Sequence, residues 1–450
     1  MGFQTGTGCV IAAPHSGAGK TLVTLGLLRA LTRAGVPVRG AKVGPDYIDP
    51  AFHKAASGHP SRNLDSWAMG EQAVRAAGAA CAEGSVLIVE GVMGLFDGAD
   101  DGYGSTADIA AALNLPVILV VDAKAQGASA GALLKGFMTY RADIRLAAVI
   151  FNNVGSARHQ TILEHAAASV GLPVLGSLKR DTALILPSRH LGLVQAAEHG
   201  DLDALIERAA GRIAEVVNLD LLAALCSPVW PGSDREMPLA PLGQRIAVAR
   251  DHAFSFCYPH FLDHWHQAGT EIAPFSPLAN EAPIATADAV FLPGGYPELH
   301  AERLSANTVF LNGLRKVAET ALVYGECGGF MVLGDALIDA EGTSHPMAGL
   351  LPVTTSMVQP VRHLGYRKLC HASALPWPKA LRGHEFHYSR FSQTRGGTAV
   401  SPAPDVPLFH AATSSGDTSF PMGLAIGRVM GSYAHVIAPD WQVIYGSDAP

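Results

Sequence analysis

The sequence holds little cysteine and places none of it in close pairs. Six residues, Cys9, Cys81, Cys226, Cys257, Cys327 and Cys370, are scattered over 450 positions without a Cys-x-x-Cys spacing. That pattern excludes a disulfide framework and a zinc knuckle, and it fits a reduced cytoplasm. Long apolar runs are also missing. No stretch of 18 apolar residues occurs, so no membrane-spanning helix is expected. Met1–Gly8 lacks a basic segment, and the apolar run Cys9–Ala13 is too short for a secretory signal. There is no cationic excess either: 32 Lys and Arg stand against 39 Asp and Glu, a formal net charge of −7. With no basic stripe visible, nucleic acid is not an expected partner. Charged residues make up only 16% and apolar ones 48%, which argues for buried cores rather than disorder.

What is present is organised in two series. A chain this long calls for two or three domains. In the first half, short apolar runs at Gly8–Ala13, Val38–Val43, Ser85–Glu90, Pro116–Asp122, Leu146–Asn152 and Leu172–Gly176 alternate with helical patterns such as Lys20–Ala34 and Ala128–Tyr140. Such alternation predicts a parallel sheet covered on both faces. Residues 227–241 then carry four prolines and neither period, which marks a linker. A second series begins at Arg245–Ala249 and continues through Ala289–Leu292, Ala321–Tyr324 and Met422–Ile426. The predicted fold is α/β, with two domains (1–225 and 244–450) joined by a linker at 226–243, each built on a mostly parallel sheet covered by helices.

Directly after the first strand comes Pro14-His-Ser-Gly-Ala-Gly-Lys-Thr21, followed by a helix. Strand, Gly-rich loop, Lys-Thr and helix form the phosphate-binding P-loop arrangement, although Pro14 stands where Gly is usual. Ser16, Gly17 and Gly19 let backbone N–H groups turn toward phosphate oxygens, and the helix N-terminus adds positive potential. Lys20 reaches toward the terminal phosphates, and the Thr21 hydroxyl suits Mg²⁺. Asp46 lies just past one strand end, in Lys42-Val-Gly-Pro-Asp-Tyr-Ile-Asp49. Glu90 closes another, followed by Gly91-Val-Met-Gly-Leu-Phe-Asp97. In parallel sheets the carboxyl ends of the strands line the ligand crevice, so these acids are placed to hold Mg²⁺. Asp49 and Asp97 read equally well as turn caps. Asn152 could read an adenine edge or simply shape a turn.

The sharpest feature of the second half is Ala321-Leu-Val-Tyr-Gly-Glu-Cys-Gly-Gly-Phe330. An apolar strand runs into Gly-x-Cys-Gly-Gly and a helix, the nucleophile-elbow logic applied to cysteine. The helix N-terminus is expected to lower the Cys327 pKa and favour thiolate. The N–H of Gly328 can face a developing oxyanion, and Gly294-Gly295 in a second loop can supply another donor. His435, in Gly431-Ser-Tyr-Ala-His435, is the expected base. His384 and His387 compete for that role. Their His-x-x-His spacing also suggests a metal, but shows only two ligands.

Taken together, these runs resemble the cobyrinic acid a,c-diamide synthase family, which includes enzymes acting on hydrogenobyrinic acid. The resemblance spans nearly the whole chain and also rests on Pro187-Ser-Arg-His-Leu-Gly-Leu193 and Leu292-Pro-Gly-Gly-Tyr-Pro-Glu298. It implies an N-terminal domain like dethiobiotin synthetase and a C-terminal class I glutaminase. By that similarity Thr21, Asp46 and Glu90 match Mg²⁺ ligands, Cys327 the nucleophile and His435 the base. Lys42, Tyr47, Asp49, Arg189 and His190 fall at substrate-binding positions, with Asp97 near the reacting carboxylate. Class I glutaminases commonly carry Glu two residues after the His. Here Ile437 stands there, so what orients His435 is left open. The implied reaction amidates two acetate groups of a tetrapyrrole polycarboxylate, using ATP with Mg²⁺, and L-glutamine as ammonia source. A shielded route for the ammonia is expected. The sequence leaves open whether the ring carries cobalt, nickel or no metal, and whether the protein is a monomer or a homodimer. Rival readings are a cobyric acid synthase-like enzyme, a partition-type ATPase with a relic glutaminase, and a glutaminase subunit feeding a partner.

Overall fold

The computed structural model describes residues 2–184, 188–189, 192–193, 195–198, 200–232, 238–395, 398–400 and 406–445. The chain separates into two compact units, divided between residues 236 and 237.

In the first unit, β1 (Thr7–Ala12) leads into α1 (Lys20–Arg33), and then β2 (Val38–Val43), α2 (Asp49–Ser57), β3 (Arg62–Leu64) and β4 (Val86–Glu90) follow. β5 (Val117–Asp122), β6 (Leu146–Val154) and β7 (Val174–Lys179) complete the sheet, and α3 (Leu202–Val216) returns across it. The strand order is β3-β2-β4-β1-β5-β6-β7, parallel throughout. All residues of β1 and β4 are buried, which is why these strands read as unbroken apolar runs. Within the Pro-rich segment, Ser227–Pro228 pairs antiparallel with Thr7 and Gly8 of β1. β1, β4 and β2 end side by side, so their C-terminal loops converge. The loop after β4 rides on the P-loop through Gly91 N–H to Ile11 C=O and Leu95 N–H to Ala13 C=O, at 2.9 and 2.8 Å. A Cβ on Gly94 would stand 2.6 Å from the Pro14 carbonyl oxygen, so this close approach requires glycine.

In the second unit, β8 (Arg245–Ala249), β9 (Glu271–Phe275), β10 (Ala289–Leu292) and β11 (Leu322–Glu326) precede the short helix α4 (Gly328–Leu333). The antiparallel pair β12 (His363–Cys370) and β13 (Ala380–His387) follows, then β14 (Leu424–Ile426), β15 (Val429–Ser432) and β16 (Ala434–Pro439). The central sheet has the order β9-β8-β10-β11-β15-β14 and is parallel except for its β14 edge. Beside it lie two five-stranded sheets that the sequence reading did not resolve, one of them containing β12, β13 and β16. β12 and β13 run eight residues each, but β13 buries the polar Arg382, His384 and Glu385, so the apolar period-2 signal is broken.

Candidate functional site

The first unit gathers its chemistry where β1, β2 and β4 end. Gly17 and Gly19 hold positive φ angles of 81° and 105°, conformations that favour glycine. A Cβ on Gly19 would meet the Asn152 side-chain nitrogen at 2.3 Å. That nitrogen donates to the Ala18 carbonyl at 3.0 Å, so Asn152 braces the P-loop. Gly17, Gly19, Lys20, Thr21 and Asn152 nevertheless line a cavity of about 1080 Å³ that extends past β7 to Arg212 on α3. Lys20 is buried. Its ammonium donates to the Met93 carbonyl at 2.5 Å, and burial together with the nearby Lys42 pulls its pKa down to about 8.

Beneath the P-loop lies a buried ionic cluster. Lys42 donates to Glu90 at 2.9 Å and pairs with Asp49, while Asp46 stands 3.9 Å away. Burial alone would lower the Lys42 pKa, but these three carboxylates outweigh it and hold the ammonium charged. For Glu90, burial is overcome by Lys42, by His53 at 2.7 Å and by the Thr21 hydroxyl at 2.6 Å, which keep it ionised well below the ordinary range. His53 is a member the sequence reading missed. Only its helical register on α2 places it against Glu90. Asp46 differs from expectation in part: its Oδ1 accepts the N–H groups of Ile48 and Asp49 at the entry to α2, which leaves one oxygen on the crevice side. The donor set (Thr21 hydroxyl and the Asp46 and Glu90 carboxylates) is all oxygen, and three carboxylates surround one Lys42 cation, so the residues fit Mg²⁺. Asp97 is exposed and accepts the Gly94 N–H at 2.8 Å, which shapes the loop beside Lys20. Tyr47 is half-buried next to Asp46. Arg189 falls in a two-residue strand paired with Gly192–Leu193, while His190 lies outside the described residues.

In the second unit, β11 ends at Glu326 and α4 begins at Gly328, which leaves Cys327 at the elbow with φ 47° and ψ −106°. A non-glycine residue held there is a strained turn of the kind that presents a nucleophile. The Cys327 N–H bonds the Ser432 carbonyl at 2.8 Å, which ties the elbow to the end of β15. His435 opens β16. A Cβ on Gly294 would sit 2.3 Å from His435 Cε1 and 3.3 Å from Cys327 Cβ, so nucleophile and imidazole meet over this glycine. The Gly295 nitrogen lies 3.1 Å from the point where a Cβ would leave Gly328, and so the two loops that carry Gly295 and Gly328 come together beside the thiol.

The thiolate expectation is corrected. Burial and the charges of Glu298, Glu326 and Glu385 push the Cys327 pKa up, against only the Gly328 N–H. The shift runs against the thiolate expected from the helix N-terminus and favours the thiol. The competing histidines lie on opposite faces of β13. His384 faces His435 across β13 and β16, and burial with that neighbour lowers its pKa to about 3. His387 lies three residues on, on the opposite face of β13, so the two do not converge on one metal. His387 instead bonds Glu385 at 2.9 Å, and Glu385 gives its other oxygen to Arg367 at 2.8 Å.

Two residues beside the elbow escaped the sequence reading. Tyr324 and Glu326 are buried, and the Tyr324 hydroxyl donates to Glu326 Oε1 at 2.9 Å. The alternation of β11 places both on one face, a signal the sequence did contain.

Comparison with known proteins covers both units. Residues 9–194 match the CobQ/CobB/MinD/ParA nucleotide binding domain, and residues 245–441 match the CobB/CobQ-like glutamine amidotransferase domain. Over 432 residues the chain is 51% identical to the hydrogenobyrinate a,c-diamide synthase of Rhizobium meliloti (strain 1021), covering 96% of this chain and 99% of that one. The enzyme of the same name from Brucella anthropi is 50% identical over 435 residues, 96% and 98% of the two chains. That from Agrobacterium fabrum is 47% identical over 443 residues, 97% and 99%. With such identity over nearly its full length, the chain belongs to the hydrogenobyrinate a,c-diamide synthase family.

Proposed function

We propose that this protein amidates the a and c acetate groups of hydrogenobyrinic acid, using ATP and taking ammonia from glutamine, in cobalamin biosynthesis. The observation that carries the reading is the presence, on one chain, of a P-loop site with its acidic cluster and a Cys–His elbow site, in a sequence about half identical to enzymes of that name. A carboxylate does not react with ammonia, because oxide is not a leaving group. Transfer of the γ-phosphoryl group to a carboxylate oxygen releases ADP and gives an acyl phosphate. Ammonia then attacks the acyl carbon and phosphate leaves. Lys20 supplies positive charge to the transferring group, and Gly17 and Gly19 leave the loop N–H groups free to cradle phosphates. Thr21, Asp46 and Glu90 would hold Mg²⁺, which neutralises phosphate charge when bound. Lys42, Tyr47, Asp49, Asp97, Arg189 and His190 are assigned to the substrate end.

At the second site the resting thiol gives its proton to His435 as Cys327 attacks the glutamine amide carbon. The protonated imidazole then passes a proton to the departing ammonia, and water releases glutamate from the thioester. Gly294, Gly295 and Gly328 are assigned as oxyanion donors, with Gly294 also giving clearance to His435. The same chemistry on a cobalt- or nickel-bearing ring is the alternative. Incubation with Mg-ATP, glutamine and either metal-free or cobalt-bearing acid, followed by mass spectrometry, separates them. The reading predicts a doubly amidated metal-free product, and no product from the metal-free ring would contradict it.

A further inference from the structure

The position two residues beyond His435, on the same face of β16, is Ile437, a buried apolar side chain that cannot orient an imidazole. The carboxylate that approaches the ring comes from another strand. Glu326, the residue immediately before the nucleophile, places Oε2 3.7 Å from His435 Nδ1. Its other oxygen is fixed from two sides, by the Tyr324 hydroxyl at 2.9 Å and by the Val436 N–H at 3.0 Å. The second bond joins the carboxylate to the residue after His435, so acid and imidazole are held on one frame. Glu326 is only 2% exposed, and a carboxylate buried so deeply is costly unless its charge is used. Glu385, a second buried acid nearby, already has both oxygens committed to His387 and Arg367.

We infer that Glu326 is the positioning residue of the glutaminase site, holding His435 with its proton on Nδ1 and its Nε2 turned to Cys327. This inference rests on the Cys327–His435 reading. The separation of 3.7 Å is longer than a hydrogen bond, as acid–base contacts often are before substrate binds, and a small ring rotation closes it. The acid thus reaches the imidazole from the strand that carries the nucleophile, and a neutral thiol gains a base whose tautomer is set before glutamine arrives.

The test uses the full-length enzyme with glutamine and, separately, with ammonium salt. Glu326→Gln keeps an oxygen for Tyr324 and Val436 but presents NH₂ to His435, so it removes the orienting acceptor and little else. It is expected to lower glutamine-dependent kcat by about 100-fold or more, with KM changed less, while ammonia-dependent amidation stays within about threefold. Glu326→Asp should restore part of the rate. In a His435→Ala background, Glu326→Gln should add nothing, because its effect passes through His435. A glutamine-dependent kcat within about threefold of wild type would overturn the inference, as would a loss that adds to that of His435→Ala or an equal loss with ammonia. Full glutamine turnover by Cys327→Ala would instead sink the underlying glutaminase reading, which keeps the two failures apart.

Discussion

Cys327 combines an exposed role with a buried address. The sequence signals a nucleophile through its glycines, but only the packing shows that burial, Glu298, Glu326 and Glu385 hold the group as a thiol. The sign of the pH effect follows. A raised pKa keeps the sulfur protonated and poorly reactive through neutral pH, and thiolate grows only as pH rises above the ordinary cysteine range. Alkylation of Cys327 by iodoacetamide, followed by peptide mass spectrometry, is therefore expected to be slower at pH 7 than that of a free cysteine, and to rise into the alkaline range. Fast, pH-independent alkylation between pH 6 and 8 would show a preformed thiolate. At this scale the motif residues were legible because each sits in a run that glycine or charge makes conspicuous. Glu326 and Tyr324 were legible only as neighbours on one face of β11, and His53 was not legible, because their contacts come from packing. Asn152 was legible only as a site member: its contact with Ala18 shows a brace of the loop.

Among the elements, both sites are made by strand ends. In the first unit, β1, β2 and β4 end together and deliver the P-loop, Lys42 and Glu90. In the second, the loop after β10, the elbow after β11 and the start of β16 meet at Gly294. A methyl group there would stand 2.3 Å from His435 Cε1, and both neighbours are anchored to strands, so the imidazole must move. Gly294→Ala is expected to cut glutamine-dependent turnover by about tenfold to a hundredfold while leaving ammonia-dependent amidation unchanged, measured side by side. Equal loss with both ammonia sources would mean that the loop matters for folding alone. Most parallel strands were legible to within three residues because they are buried on both faces, but β3, β9 and β15 were not, and the expected strand Met422–Ile426 falls on the antiparallel edge β14. The two five-stranded sheets of the second unit were not legible, because a strand such as β13 buries Arg382, His384 and Glu385 and so carries no apolar run.

For the whole molecule, the central claim is that one chain makes ammonia in one unit and consumes it in the other. Free ammonia can replace the product of the first reaction but not that of the second, so the two halves of the chemistry are separable without cutting the chain. The division into a P-loop unit and a glutaminase unit was legible from the two motif sets and the Pro-rich segment between them. Ring specificity was not, because no run in the sequence reports the metal content of a substrate. The most direct measurement is amidation of hydrogenobyrinic acid by Cys327→Ala enzyme with Mg-ATP, supplied with either glutamine or ammonium salt and read by mass spectrometry. The account predicts no product with glutamine and the doubly amidated acid with ammonia. Amidation from glutamine by this variant, or none from either source while wild type is active, would contradict it.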